Sequence, residues 1–170
     1  MQCLRYDPGV IPTRPAPLPG EYIVIEVDGY PPHKDEHRSI RNSSHPQYSR
    51  FMALREAAIK VMGGRAWSHG PIRLDFVLFA PSVPQKPKLR DFDGGIEDTL
   101  DGSSGFTFTY LPIVFEDDCQ IVDGTMRYVV SDRTRYRVVV TFLNDEIENN
   151  PPAIDPDLLV GSSPLGAVPS

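Results

Sequence analysis

Stretches of β-branched and aromatic residues alternate along the chain with polar, glycine- and proline-marked breaks. Tyr22-Ile23-Val24-Ile25-Glu26-Val27 predicts a strand, stopped by Gly29 and Pro31-Pro32. A charged loop, 33–45, follows. Phe51, Leu54, Ala58 and Val61 then recur at i, i+3, i+7 and i+10, which places them on one face of a helix. Ser44 is the expected cap, Pro46 suits the first turn, and Gly63-Gly64 marks the end. Ile72 to Phe79 predicts a second strand, with Ile72, Leu74, Phe76 and Leu78 on one face. Gly95 to Asp101 has room for one or two helical turns, and Gly102-Ser103-Ser104-Gly105 closes that segment. Phe106 to Phe115 is aromatic and β-prone, and its alternation reads as an added strand. Ile121–Val130 and Tyr136–Phe142 complete the set, expected to form an antiparallel hairpin through Ser131-Asp132-Arg133-Thr134. This order implies an α+β domain: a small mixed sheet of about four strands, one main amphipathic helix and a short second helix.

Composition refines the boundaries. Of 18 prolines, five fall in residues 1–20 and five in 145–170. The chain therefore divides into a proline-rich arm at 1–20, a folded body at 21–144 and an acidic, proline-rich tail at 145–170 expected to be disordered. The net charge of −6 is misleading, because five of the acids lie in that tail, which has no Lys or Arg. The body is close to neutral, so acids gathered at one place leave a basic surface elsewhere, compatible with a nucleic-acid partner. Cys3 and Cys119 provide neither a disulfide framework nor a zinc pattern. With no secretory signal pattern and no apolar run of membrane-spanning length, a cytoplasmic location without membrane contact is expected.

The chemistry lies in two acidic segments, Asp91-Phe92-Asp93 and Glu116-Asp117-Asp118. In extended chain a D-x-D pair sends both carboxylates to one side. Their repulsion favours a hard divalent cation, Mg²⁺ or Mn²⁺, which takes carboxylate oxygen ligands. Such a cation polarises a phosphodiester for hydrolysis. Asp117 and Asp118 stand where Phe115 gives way to the Ile121-Val122 strand, at the mouth of the core. Lys34, Arg38 and Arg41 form a basic loop after the proline turn. Lys86, Lys88 and Arg90 precede the D-x-D, and Arg127, Arg133 and Arg135 cluster on the expected last hairpin. All nine are candidate phosphate contacts.

Several features occur together and in order: Gly29-Tyr30-Pro31-Pro32 after a strand, the helix through Phe51 and Met62, the strand 72–79, Asp91-Phe92-Asp93, and Asp117-Asp118-Cys119-Gln120-Ile121 opening a strand. Over residues 22–142 this arrangement resembles the RusA family of Holliday junction resolvases. The resemblance implies metal-binding acids at Asp91, Asp93 and Asp118, with Asp117 assisting. It also implies metal-dependent cleavage of four-way DNA junctions by a homodimer, in recombination and repair. Two positions depart from the family pattern: Gly94 replaces an asparagine, and Glu97 replaces a lysine linked to catalysis. Gly102 also ends the second helix early, before the insertion at 106–112. Glu97, four residues after Asp93, is expected to add a carboxylate to the metal site. A catalytically weakened relative that binds junctions or acts as a scaffold is the alternative.

Overall fold

The structure, a computed structural model, describes residues 11–34, 39–104 and 109–145. Of the residues named above, the first ten of the arm with Cys3, Arg38, Gly105, Phe106 and the tail beyond Asp145 lie outside these. The elements run β1 (Tyr22–Asp28), α1 (Tyr48–Met62), β2 (Ile72–Ala80), α2 (Asp93–Leu100), the short ribbon β3 (Ser103–Ser104) and β4 (Thr109–Tyr110), β5 (Ile121–Val130) and β6 (Arg135–Phe142). The main sheet has the order β1-β6-β2-β5, so the fold is α+β, with a mixed four-stranded sheet and two α-helices among the described residues.

The expected hairpin of β5 and β6 does not form, because β2 lies between them. β2 pairs antiparallel with β6 and parallel with β5. The reason lies in β2, whose alternate positions are apolar on both faces. Ile72, Leu74, Phe76 and Leu78 join the main core, while Val77 and Phe79 join a smaller cluster with Val139 on the other face. A strand buried on both faces belongs inside a sheet. β5 carries Asp123, Gly124 and Arg127, all exposed, and takes the edge.

α1 and α2 pack on the face bearing the main core. Phe51, Leu54, Ala58 and Met62 of α1 are buried, together with Arg55. Gly63 ends α1 in the left-handed conformation with φ 56°, and its N–H donates to the Ile59 carbonyl. Ser44 does not cap the helix. Its N–H and hydroxyl both bind Asn42 Oδ1, and α1 begins only after Gln47. The described part of the arm is anchored to the body. Thr13 and Arg14 donate to the Gly64 carbonyl, and Gly20 donates to that of Phe142. Among the described residues no helix is long and apolar enough to cross a membrane.

The fold positions the acidic segments through Phe92 and Gly95. Phe92 is 1% exposed, stacks on Tyr30 at 6.0 Å between centroids, meets His33 edge-on at 6.1 Å and lies 6.4 Å from Phe76. Gly95 lets α2 settle against the proline turn, because a Cβ there would stand 2.2 Å from the Pro32 carbonyl oxygen. α2 is thereby seated between the Pro31-Pro32 turn and α1, with Ile96 and Leu100 in the core.

Candidate metal centre

The D-x-D pair is not extended. Asp91 belongs to a 3-10 turn, Leu89–Phe92, and Asp93 is the first residue of α2. Two residues apart on a helix, side chains point roughly 200° from each other, so the pair separates. Phe92 takes the inward direction. Asp91 is exposed and accepts a 2.7 Å hydrogen bond from the Lys88 N–H, capping its own turn. The shared-side placement expected for Asp91 and Asp93 is therefore corrected.

What comes together instead is a row along α2. Asp93, Glu97 and Asp101 fall at i, i+4 and i+8, successive steps of about 40° around the helix. The row borders the buried stripe of Ile96 and Leu100, which explains its partial burial. Burial holds the Asp93 carboxyl above its ordinary range. Burial, and then the charges of Asp93 and Asp118, push Glu97 up to about 7, with Lys34 opposing and Asp98 adding to the rise. Asp101 is likewise pushed up to about 7 by burial, opposed by Arg41 and reinforced by Asp98, Asp118 and Asp117. Asp118 thus acts on both Glu97 and Asp101 across the site, and Asp91 acts on neither. The sequence reading missed Asp101. Its signal, an acid every fourth residue from Asp93, emerges only once the helix is started at Asp93 rather than Gly95.

The second acidic segment is held by Gln120. Its Oε1 accepts from the Glu116 N–H at 2.8 Å and the Asp117 N–H at 3.0 Å. Its Nε2 donates to the carbonyls of Ser68 at 3.0 Å and Gly70 at 2.7 Å. One amide thereby staples the Glu116–Asp118 turn to the segment leading into β2. Asp117 accepts from the Cys119 N–H at 2.9 Å and caps the turn Asp118–Gln120; the Cys119 thiol, and then that N–H, hold its carboxyl below the ordinary range. Asp117 is committed to the turn, while Asp118 is exposed.

The basic candidates divide by location. Lys34 Nζ lies 3.2 Å from Asp98, and Arg41 is buried with Nη2 2.8 Å from Asp101 Oδ1 and also on the Asp98 carbonyl. Arg41 is thereby tied to α2, while the Lys34 side chain, 59% exposed, pairs with Asp98 at the surface. Lys86, Lys88 and Arg90 are exposed on the approach to α2. Arg127, Arg133 and Arg135 do not form one basic hairpin. Arg133 pairs with Asp28 at 3.0 Å. Arg135 sits 4.3 Å over the Phe79 ring and 3.8 Å from Glu26, and so, with Arg127, it belongs to the sheet face opposite the helices.

Among the described residues, no three His, Cys, Asp or Glu side chains stand close enough as they are to enclose an ion. The donor chemistry still fits a hard cation. Asp93 and Glu97 are half-buried carboxylates whose affinity for protons is raised chiefly by burial, and they offer the oxygen ligands such a cation prefers. Mg²⁺ is commonly held by one or two carboxylates, with waters and substrate phosphate completing the shell. No known protein family and no curated protein matches the chain.

Proposed function

We propose that the chain is a divalent-metal-dependent endonuclease that hydrolyses phosphodiesters in branched DNA, with a four-way junction as substrate. One observation carries this reading: the half-buried Glu97 carboxyl of α2 feels the charges of Asp93, one turn before it, and of the exposed Asp118 in the turn before β5. Asp93 and Asp118 would hold Mg²⁺ or Mn²⁺, and Glu97 adds the third carboxylate where the resembling family has a lysine. When bound, the cation would polarise a phosphodiester and stabilise the departing oxygen. Lys34 pairs with Asp98 and Arg41 with Asp101, at the flank of the Asp93–Glu97–Asp118 group. Lys86, Lys88 and Arg90 stand exposed on the same approach and suit the phosphate backbone. The order of motifs that resembles RusA-type resolvases supports the choice of branched DNA, and a homodimer suits a substrate cut twice by symmetry.

The full chain incubated with a synthetic four-way junction and Mg²⁺ or Mn²⁺ is expected to nick it, and EDTA to stop the reaction. Glu97→Lys is expected to lower the rate by roughly tenfold or more, the scale for a group supporting a metal site. An inert wild type beside an active Glu97→Lys variant would overturn the assisting role of Glu97. Junction binding with no cleavage by either protein would overturn the enzyme reading in favour of a scaffold.

A further inference from the structure

β5 lies at one end of the main sheet. Of its two edges, one pairs with β2 and the other has no strand partner among the described residues. That edge is ten residues long, and its only irregularity is the register shift opposite Ile72 and Arg73. Soluble proteins blunt such edges with lysine, proline or bulges along their length. Ile121 to Val130 contains neither lysine nor proline. Val122, Met126 and Val130 are instead 58%, 39% and 76% exposed.

The charges on β5 indicate what covers it. Asp123 and Arg127 are both exposed and lie symmetrically about Thr125. Antiparallel pairing of β5 with β5 of a second copy, centred on Thr125, sets each Asp123 directly opposite the other copy's Arg127. Opposite charges at directly opposed positions stabilise an antiparallel pair, and like charges there destabilise it. Both residues lie on the sheet face opposite the helices. On that face Arg73 already bridges Asp123 at 2.9 Å and the buried Asp75 at 2.8 Å, while Thr125 donates to Asp75. Asp123 would then stand between Arg73 of its own chain and Arg127 of the second copy. We propose that two copies associate through their β5 edges, antiparallel about Thr125, into one continuous eight-stranded sheet. The inference does not depend on whether the acidic site binds a metal.

The test is the oligomeric state of the full chain by sedimentation equilibrium, without metal or DNA. The wild type is expected to dimerise at micromolar concentration. Arg127→Asp is expected to weaken the dimer at least tenfold, since it opposes two acids twice in each dimer. Combining it with Asp123→Arg restores the opposed charges and is expected to recover affinity to within a few-fold. Hydrogen exchange at the β5 amides, followed against protein concentration, covers the case of a variant that fails to fold. Protection should rise with dimer formation. A wild type monomeric at 100 µM, a dimer indifferent to Arg127→Asp, a double variant as weak as the single, or β5 amides protected equally at all concentrations would overturn the proposal.

Discussion

Asp118→Asn and Asp93→Asn are each expected to lower metal-dependent junction cleavage by roughly 100-fold or more, while Asp91→Asn leaves it within a few-fold of wild type. The lower bound comes from the 10–100-fold losses that follow removal of groups merely supporting a metal ligand. The contrast is the informative part. A reading built on the D-x-D motif alone makes Asp91 and Asp93 equivalent. The geometry separates them: Asp91 caps the Leu89–Phe92 turn, and Asp93 begins the row that faces Asp118 through Glu97. Asparagine still accepts the Lys88 N–H, so Asp91→Asn keeps the cap. Cleavage rates for the three variants under single-turnover conditions check the order. Equal losses at Asp91 and Asp93 would return the site to the simple motif.

Phe92→Ala carries the largest expected effect on stability, a loss of about 3–5 kcal/mol by denaturant unfolding. Phe92 is 1% exposed and contacts rings from the proline turn, β2 and the start of the charged loop. Truncation leaves a cavity at the place where α2 is seated, so the 3-10 turn and the first turn of α2 lose their anchor together. Cleavage should fall with stability, because Phe92 immediately precedes the proposed ligand Asp93 and anchors the turn that places it. Phe92→Leu, which refills part of the cavity, should recover part of both. A loss below 1 kcal/mol in Phe92→Ala would show that the Pro31-Pro32 turn and Gly95 hold α2 without it.

Periodicity made β1, α1 and β2 legible in the chain, because each buries a regular stripe: Ile23 and Ile25, Phe51 to Ala58, and Ile72 to Leu78. It failed where pairing depends on more than the strand itself. β5 and β6 are consecutive and joined by a short polar turn, the local signature of a hairpin. The apolar positions Val77 and Phe79 on the second face of β2 were the sign that β2 occupies the centre. The acidic site was half legible. Asp93, Glu97 and Asp118 are residues that motif and spacing single out, but the extended geometry assumed for Asp91-Phe92-Asp93 was wrong. A buried Phe92 turns that segment helical by docking it on the core, and Asp101 then joins the row. Gln120 shows the same limit: the chain displays a glutamine after two aspartates, and only the fold reveals four hydrogen bonds tying their turn to Ser68 and Gly70.

Binding of a divalent cation by the Asp93–Glu97–Asp118 cluster is decided by thermal unfolding of the full chain with and without Mn²⁺ at pH 8. Glu97 sets the pH. Its carboxyl, facing Asp93, Asp118, Asp98 and Lys34, is raised from 4.5 to about 7 in the fold. The folded chain therefore keeps a proton there that the unfolded chain releases near 4.5. Its stabilising contribution is fully present below pH 4.5 and is lost as the pH rises through about 7. At pH 8 the cluster is ionised and short of positive charge, and the cation should stabilise the fold most. At pH 5.5 protons compete with it. Cation at about 100 times its dissociation constant contributes about 2.7 kcal/mol, or roughly 5–10 °C in a chain of this size. A saturable rise of that order is expected at pH 8, a smaller one at pH 5.5, and none in Asp93→Asn/Asp118→Asn. An unchanged melting temperature at pH 8, or an equal rise in the double variant, would contradict cation binding by this cluster.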